Sequence, residues 1–375
     1  MHCQAQRYRY RGIYKQQDKM KKIICLIESL GSGGAERQIT GLAILLKKQG
    51  YEVEVWYYAP RHFYCKDLEN GNVKFRHISE AENKYKRLGI IRKELLKAKP
   101  DTVITYLNTP CIIGCITKIT GGKFKLIVSE RNTTQQITLH EKVKFALYRF
   151  ADHVVPNSHT QSKFIKTHFP YLRKKLSCIT NFVDVDKFVV KPQDISRSSI
   201  NILSIGRLMH QKNILMYIEA VKMLVASCNT NIKFTWVGQS LGDQYYNDCI
   251  NKIKQYNLGE YFTFKSPNPN IVEEFHKADF FCLPSLYEGF PNVICEAMSC
   301  GLPIVCSNIC DNPFIVTPDN GFLFNPNDPK DIVNKLIAAI NIDKDAYCNM
   351  SKSSRDRATE LFSQTTFINS YLEII

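Results

Sequence analysis

The stretch KKIICLIESLGSGGAERQITGLAILLKKQGYEVEVWYY, residues 21–58, decides the fold class of this chain. An apolar segment at 23–27 leads into the loop Gly31-Ser32-Gly33-Gly34, and apolar residues then recur every three to four positions over 39–46. This pattern predicts a strand, a glycine-rich loop and an amphipathic helix, and the alternation over 51–58 predicts a second strand. Such a unit indicates parallel strands joined by a right-handed crossover.

The same alternation continues along the chain and predicts an α/β protein with two doubly wound, Rossmann-like domains, over 20–190 and 200–357. The polar, proline-containing segment 191–199 is predicted to link them. Residues 1–19 are polar and basic without the apolar centre of a signal peptide, so we expect an extension or an upstream mis-start. The remainder, 358–375, is expected to form a C-terminal helix.

Composition excludes several classes of protein. Of 375 residues, 44% are hydrophobic and 23% charged, which are ordinary globular values that exclude disordered and fibrous chains. No apolar run reaches 18 residues, so the sequence predicts no membrane-spanning helix. The 14 cysteines include no Cys-x-x-Cys pair and are predicted to be buried, reduced thiols of a cytoplasmic protein.

The positive charge is concentrated in the first half of the chain. Residues 1–190 carry 34 basic and 16 acidic side chains, whereas residues 191–375 carry 16 and 19. This asymmetry indicates a polyanionic partner for the first half, such as nucleic acid, anionic lipid headgroups or a pyrophosphate. The basic residues of a predicted helix over 141–150, Lys142, Lys144 and Arg149, are expected to face an anionic membrane.

Two segments of the second half carry the chemistry. In Ser285-Leu286-Tyr287-Glu288-Gly289-Phe290-Pro291-Asn292-Val293-Ile294-Cys295-Glu296-Ala297 a strand ends, a loop presents Glu288, and Pro291 starts a helix that holds Glu296. Carboxylates accept hydrogen bonds from neighbouring sugar or ribose hydroxyls, and helix starts favour anions. In Gly206-Arg207-Leu208-Met209-His210-Gln211-Lys212-Asn213, Arg207 and Lys212 can hold phosphate oxygens from two sides.

These motifs resemble those of the retaining glycosyltransferases of family four, which have the GT-B fold. The resemblance covers residues 21–370 and rests on the Glu-x7-Glu pair together with these further stretches: Gly31-Ser32-Gly33-Gly34-Ala35-Glu36-Arg37, Val155-Pro156-Asn157-Ser158, Asn181-Phe182-Val183-Asp184, Ser204-Ile205-Gly206-Arg207 and Val237-Gly238. It implies that the two domains face each other across a cleft. It also implies that the second domain binds a nucleotide-sugar, that the first binds the acceptor, and that the final helix crosses back to the first domain.

The resemblance also implies a role for each matching residue. Arg207 and Lys212 neutralise the diphosphate leaving group, and Glu288 orients the donor sugar. The implied donor-binding residues are Gly33, Gly34, Gly206, Gly238, Gly289, Phe290, Pro291, Asn292 and Glu296, the last of which holds the ribose. The implied first-domain candidates for either substrate are Asn108, Glu130, Arg131, Asn132 and Asn157. No metal or other cofactor is expected, because the two cations replace it.

The sequence departs from the family pattern at two positions. Asn108 stands where the family often has histidine, and Phe182 replaces a glycine that usually follows Asn181. The stretch Ser129-Glu130-Arg131-Asn132 resembles a motif of members that transfer N-acetylated or related sugars in cell-surface glycan assembly. Asp184-Val185-Asp186 matches the Asp-x-Asp string of metal-dependent glycosyltransferases of another fold, but we predict a turn there.

We therefore predict transfer of a hexose or N-acetylhexosamine, with retention of configuration, from a UDP-sugar to a polyprenyl-diphosphate-linked glycan of a bacterial capsule, exopolysaccharide or O-antigen. The enzyme is expected at the inner face of the cell membrane. Two alternatives remain: a nucleotide-sugar epimerase on a related fold, and a basic nucleic-acid-binding protein. The second lacks basic residues interleaved with aromatic ones.

Overall fold

The computed structural model describes residues 20–79, 83–190, 199–228, 231–240, 242, 244–268 and 270–375. The predicted extension at 1–19 and nearly all of the predicted linker, residues 191–198, lie outside the described residues. Within these ranges no helix is both long enough and apolar enough to cross a bilayer.

The first domain is built on a parallel sheet of six strands in the order β3-β2-β1-β4-β5-β6. Its strands are β1 (Lys22–Leu26), β2 (Glu52–Tyr57), β3 (Lys74–His77), β4 (Thr102–Tyr106), β5 (Lys125–Glu130) and β6 (His153–Pro156). Its helices are α1 (Gly34–Lys48), α2 (Cys65–Asn70), α3 (Lys84–Ala98), α4 (Asn108–Ile119), α5 (Leu139–Tyr148) and α6 (His159–His168), followed by a 3₁₀ turn at Pro170–Lys175.

The second domain repeats this topology, with the strand order β12-β11-β10-β7-β8-β9. Its strands are β7 (Ile200–Ile205), β8 (Ile232–Val237), β9 (Phe262–Lys265), β10 (Phe280–Leu283), β11 (Ile304–Ser307) and β12 (Gly321–Phe324). Its helices are α7 (Ile214–Ser227), α8 (Gln244–Gln255), α9 (Ile271–His276), α10 (Asn292–Ser299), α11 (Asn312–Ile315) and α12 (Pro329–Ile340), with a 3₁₀ turn at His210–Lys212. The two parallel sheets confirm the predicted fold class.

Burial on both faces of each sheet explains why the strands are so apolar. Every residue of β4 and β10 is buried, because helices cover both sides of a parallel sheet. Helix α4 is one element that the sequence pattern did not reveal. Its NTPCIIGCITKI sequence is apolar on most sides, and Gly114 lets it lie close to the sheet: a Cβ there would come within 2.9 Å of Leu126 Cδ1.

The C-terminal segment forms two helices that belong to different domains. Helix α13 (Lys344–Phe362) packs on α10 of the second domain. The chain turns at Ser363, whose hydroxyl accepts a hydrogen bond from the Thr366 N–H and caps α14 (Gln364–Leu372). Phe367 and Tyr371 of α14 are buried in the core of the first domain, so the chain crosses back to that domain.

Candidate functional site

The carboxyl ends of both sheets face a cleft of about 440 Å³ between the domains, which is where doubly wound sheets bind ligands. The cleft brings together most of the predicted site residues. From the first domain it is lined by Gly34, Arg131, Asn132 and Asn157, and from the second by Gly206, Arg207, Lys212, Glu288, Gly289, Phe290, Pro291 and Asn292.

Two helix N-termini converge on this cleft. Helix α1 starts at Gly34 and α10 at Asn292, and neither has a side chain that caps its first N–H groups. The two starts are close: a Cβ on Gly34 would lie 3.1 Å from Asn292 Nδ2. In α10 the N–H groups of Asn292 and Ile294 donate to the backbone carbonyls of Phe290 and Pro291. The first N–H groups of α1 and the positive ends of the two helix dipoles therefore make this point of the cleft favourable for an anion.

The loop after β7 supplies two cations to the cleft. Arg207 is exposed and has no hydrogen bond or ion pair with any residue that the structure describes. Lys212 is largely buried, and its Nζ lies 2.6 Å from Glu288 Oε1. The loop packs tightly against the end of β8 at Gly238. Only glycine fits there, because a Cβ on Gly238 would lie 1.9 Å from the Gly206 carbonyl oxygen.

The Glu288 loop lies against the first domain. The Glu288 carbonyl accepts a hydrogen bond from Thr133 Oγ1 at 2.8 Å. A Cβ on Gly289 would lie 3.1 Å from the Arg131 carbonyl oxygen. Any larger residue at this position would therefore have to displace the Arg131 backbone slightly. The carboxylate of Glu288 and the cation of Lys212 are thus held at the boundary of the two domains.

Arg131 is a buried cation with no carboxylate partner among the described residues. Its guanidinium lies 3.8 Å from the centre of the Tyr106 ring and donates to Asn181 Oδ1 at 2.7 Å and to the Tyr371 hydroxyl at 3.2 Å. Asn181 in turn donates to Asn292 Oδ1 at 2.7 Å, at the start of α10. A buried charge without a counter-charge favours an anionic ligand nearby.

Glu296 lies beside Arg37 of α1 and is not among the residues that line the cleft. Its side chain is 5% exposed, and its Oε1 accepts a hydrogen bond from Arg37 Nη2. The neighbouring Glu296 carboxylate raises the pKa of the Arg37 guanidinium. The sequence motif contains Arg37, but its spacing gave no sign that this side chain reaches the other domain.

Two predicted candidates of the first domain lie behind the cleft. Glu130 is buried, and its carboxylate is paired with Lys144 Nζ at 3.0 Å and accepts from the Tyr148 hydroxyl. Asn108 begins α4, and its Oδ1 lies 3.5 Å from the same Lys144 nitrogen. The expectation that Lys144 faces a membrane is therefore wrong, because its side chain is only 3% exposed and neutralises Glu130.

The departure from the family pattern at Phe182 has a local explanation. Gln38 of α1 bonds both the N–H and the carbonyl of Phe182, and the Phe182 ring fills the space over Gly41. The Asp184 carboxylate accepts from the Lys187 N–H, as in a turn. Among the described residues, no cluster of three or more histidine, cysteine, aspartate or glutamate side chains could hold a metal ion.

Most of the chain is similar in sequence to known proteins. Residues 187–357 match the family model described as glycosyl transferases group 1, and residues 32–187 match that described as Glycosyltransferase Family 4. The chain is 29% identical over 314 residues to a Campylobacter jejuni N-acetylgalactosamine-N,N'-diacetylbacillosaminyl-diphospho-undecaprenol 4-alpha-N-acetylgalactosaminyltransferase, which covers 77% of this chain and 81% of that protein.

One further relative is similar in sequence, and one solved structure is similar in fold. An Escherichia coli UDP-Gal:alpha-D-GlcNAc-diphosphoundecaprenol alpha-1,3-galactosyltransferase is 29% identical over 303 residues, 74% of this chain and 76% of that protein. The solved structure of Anabaena Alr3699/HepE in complex with UDP and glucose superposes with a TM-score of 0.80 at 21% identity, over 94% of this chain and 98% of that one. The last comparison concerns the fold alone.

Proposed function

We propose that this chain, which belongs to the group 1 and family four glycosyltransferases, transfers a hexose or N-acetylhexosamine from a UDP-sugar to a polyprenyl-diphosphate-linked glycan. The product would be part of a bacterial capsule, exopolysaccharide or O-antigen. The observation that carries the proposal is the anion site of the cleft, where the starts of α1 and α10 meet Arg207 and Lys212. The names of the Campylobacter and Escherichia relatives support the acceptor class.

In this proposal the donor diphosphate lies between the two helix starts and the two cations. Negative charge develops on the leaving diphosphate as the glycosidic bond breaks, and fixed positive charges stabilise it without reorganisation. Arg207 and Lys212 would do so in place of a divalent metal. Glu288, fixed by Lys212, would accept hydrogen bonds from the donor sugar, on a path that retains its configuration.

The acceptor side of the proposal rests on Arg131, Asn132 and Asn157. Arg131 places an unneutralised positive charge at the first-domain wall. The Asn157 Oδ1 atom is buried without a hydrogen-bond partner in the described part of the chain. A sugar hydroxyl can satisfy such an oxygen, and leaving it unsatisfied costs roughly 1–3 kcal/mol.

Peripheral membrane binding is also part of the proposal, on a surface that differs from the one expected. Leu139, Val143 and Phe150 are 77%, 53% and 43% exposed, and their spacing of four and seven residues puts them on one side of α5 and its C-terminal extension. Lys142 and Arg149 are exposed beside them. An exposed apolar stripe flanked by basic residues suits an anionic bilayer interface.

A donor screen tests the reaction. Purified protein is incubated with each common nucleotide-sugar, with and without a polyprenyl-diphosphate-linked glycan, and free nucleoside diphosphate is measured. We expect release from a UDP-sugar that depends on the acceptor. An isomerised sugar in the absence of acceptor would instead establish the epimerase alternative.

Vesicle sedimentation tests the membrane surface. Leu139→Glu with Val143→Glu should release the protein from vesicles that contain anionic lipid, while turnover on a short soluble acceptor stays unchanged. Lys97→Glu, a charge reversal on α3, is the control. Wild-type binding should weaken as salt rises to about 0.1 M, where the Debye length is about 10 Å. Undiminished binding of the double variant would place the membrane contact elsewhere.

A further inference from the structure

The ion pair between Arg37 and Glu296 joins the two domains through α1 and α10, the two helices whose first residues line the cleft. Arg37 is the fourth residue of α1, and Glu296 is the fifth residue of α10. Glu296 is 5% exposed, whereas the Arg37 side chain is 39% exposed and reaches it from the first domain. Among the described residues, Arg37 is the hydrogen-bond partner of this carboxylate.

This contact leaves half of the carboxylate available. Arg37 binds Oε1, and Oε2 has no hydrogen bond to any side chain or backbone group in the described ranges. An ionised carboxylate offers about four acceptor positions on its two oxygens. Two vicinal hydroxyls can therefore bind Glu296 while Arg37 stays in place.

The pairing also determines whether Glu296 is a good acceptor. A carboxylate buried to this degree would be costly to keep ionised without a counter-charge. The planar guanidinium holds the carboxylate in one orientation, which a more flexible ammonium does less well. Because Arg37 comes from the first domain, Glu296 has this partner only when the two domains are in contact.

We propose that Arg37 is a positioning residue, which orients Glu296 for the ribose of the donor and makes ribose recognition depend on contact between the domains. The proposal rests on the proposed function, and it takes the ribose-binding role of Glu296 from the family resemblance. Arg37 itself touches neither the reacting sugar nor the diphosphate in this scheme. Its loss should therefore alter selectivity for the ribose hydroxyls more than binding of the phosphates.

The test compares binding of UDP and 2′-deoxy-UDP by titration calorimetry, which needs neither the sugar nor the acceptor. The wild type should bind UDP at least about 10-fold more tightly, as expected for a hydrogen bond to a charged group. Glu296→Gln and Arg37→Gln should each bring this ratio close to 1, and the double variant should lower it no further. Arg37→Lys should give an intermediate ratio.

The matched control is Lys47→Gln, which removes one positive charge from the same helix and should keep the wild-type ratio. A wild-type ratio in Glu296→Gln would show that the ribose role that the family resemblance implies for Glu296 is wrong, without bearing on the diphosphate site of the proposed function. A lowered ratio in Glu296→Gln with a wild-type ratio in Arg37→Gln would overturn the positioning role alone. Melting curves check that each variant folds. If Arg37→Gln does not fold, Arg37→Lys takes its place as the test. A wild-type ratio of UDP to 2′-deoxy-UDP binding in Arg37→Lys would then refute the positioning role of Arg37.

Discussion

Replacing Arg207 by alanine tests the electrostatic account of leaving-group stabilisation with little structural disturbance. Arg207 is exposed in the cleft and has no partner among the residues that the structure describes. Its removal breaks no ion pair and leaves no cavity, so the free energy of unfolding should change by no more than about 0.5 kcal/mol. Lys212 is a less direct test, because its loss also leaves the Glu288 carboxylate unpaired.

The expected loss of turnover follows from the role of the charge. One fixed donor to a developing oxyanion contributes about 3 kcal/mol to the transition state. That corresponds to roughly 100-fold or more in rate, since each 1.4 kcal/mol is about tenfold. Lys212 and the two helix starts remain in Arg207→Ala and still provide part of the positive potential at the diphosphate. We therefore expect turnover to be reduced and not abolished.

The assay is initial-rate release of nucleoside diphosphate at saturating acceptor, with thermal melting measured on the same samples. Lys254→Ala is the matched control, because it removes one exposed positive charge on α8 of the same domain. It should retain wild-type turnover. Near-normal turnover of Arg207→Ala with an unchanged melting temperature would refute the assignment of Arg207 to the diphosphate.

Four other results are expected. Glu288→Gln should chiefly lower kcat, since the carboxylate orients the reacting sugar, and equal effects on kcat and KM would contradict this. Activity should survive excess chelator, and its loss would indicate a required metal. Iodoacetamide at pH 8 should modify the exposed Cys348 far faster than Cys282, because burial raises the pKa of the Cys282 thiol to about 12 and leaves almost no thiolate. Rapid labelling of both would disprove this packing. Gly238→Ala should lower the free energy of unfolding by about 1–3 kcal/mol, because its Cβ would meet the Gly206 carbonyl, whereas Gly259→Ala has open space and should not.

Local sequence patterns were sufficient to predict most of the strands and helices of the fold. The period-2 and period-3.6 segments located the central strands and their helices, because a parallel sheet needs apolar strands and one-sided helices. Helix α4 was missed because burial on several sides removes the polar face from which a helix is recognised. The break at Ser363 between α13 and α14 was missed because the turn is made by this one residue, which has extended backbone angles (φ −64°, ψ 155°) and caps α14 with its hydroxyl, between two helix-compatible stretches.

Prediction of the candidate site was limited by contacts that join distant parts of the chain. The spacing of Arg207, Lys212 and Glu288 sufficed to place them near one sheet edge. The bond between Arg37 and Glu296 spans the two domains, and no local period encodes it. The same limit explains Lys144, a surface cation by its sequence position that is buried against Glu130.

A crystal structure of the protein with UDP tests the central claim most directly. We expect the diphosphate to lie in the interdomain cleft, between the starts of α1 and α10 and the side chains of Arg207 and Lys212. We also expect ribose hydroxyls on Glu296, with Arg37 still bound to the same carboxylate. A diphosphate bound outside this cleft, or within it but away from both helix starts, would contradict the account.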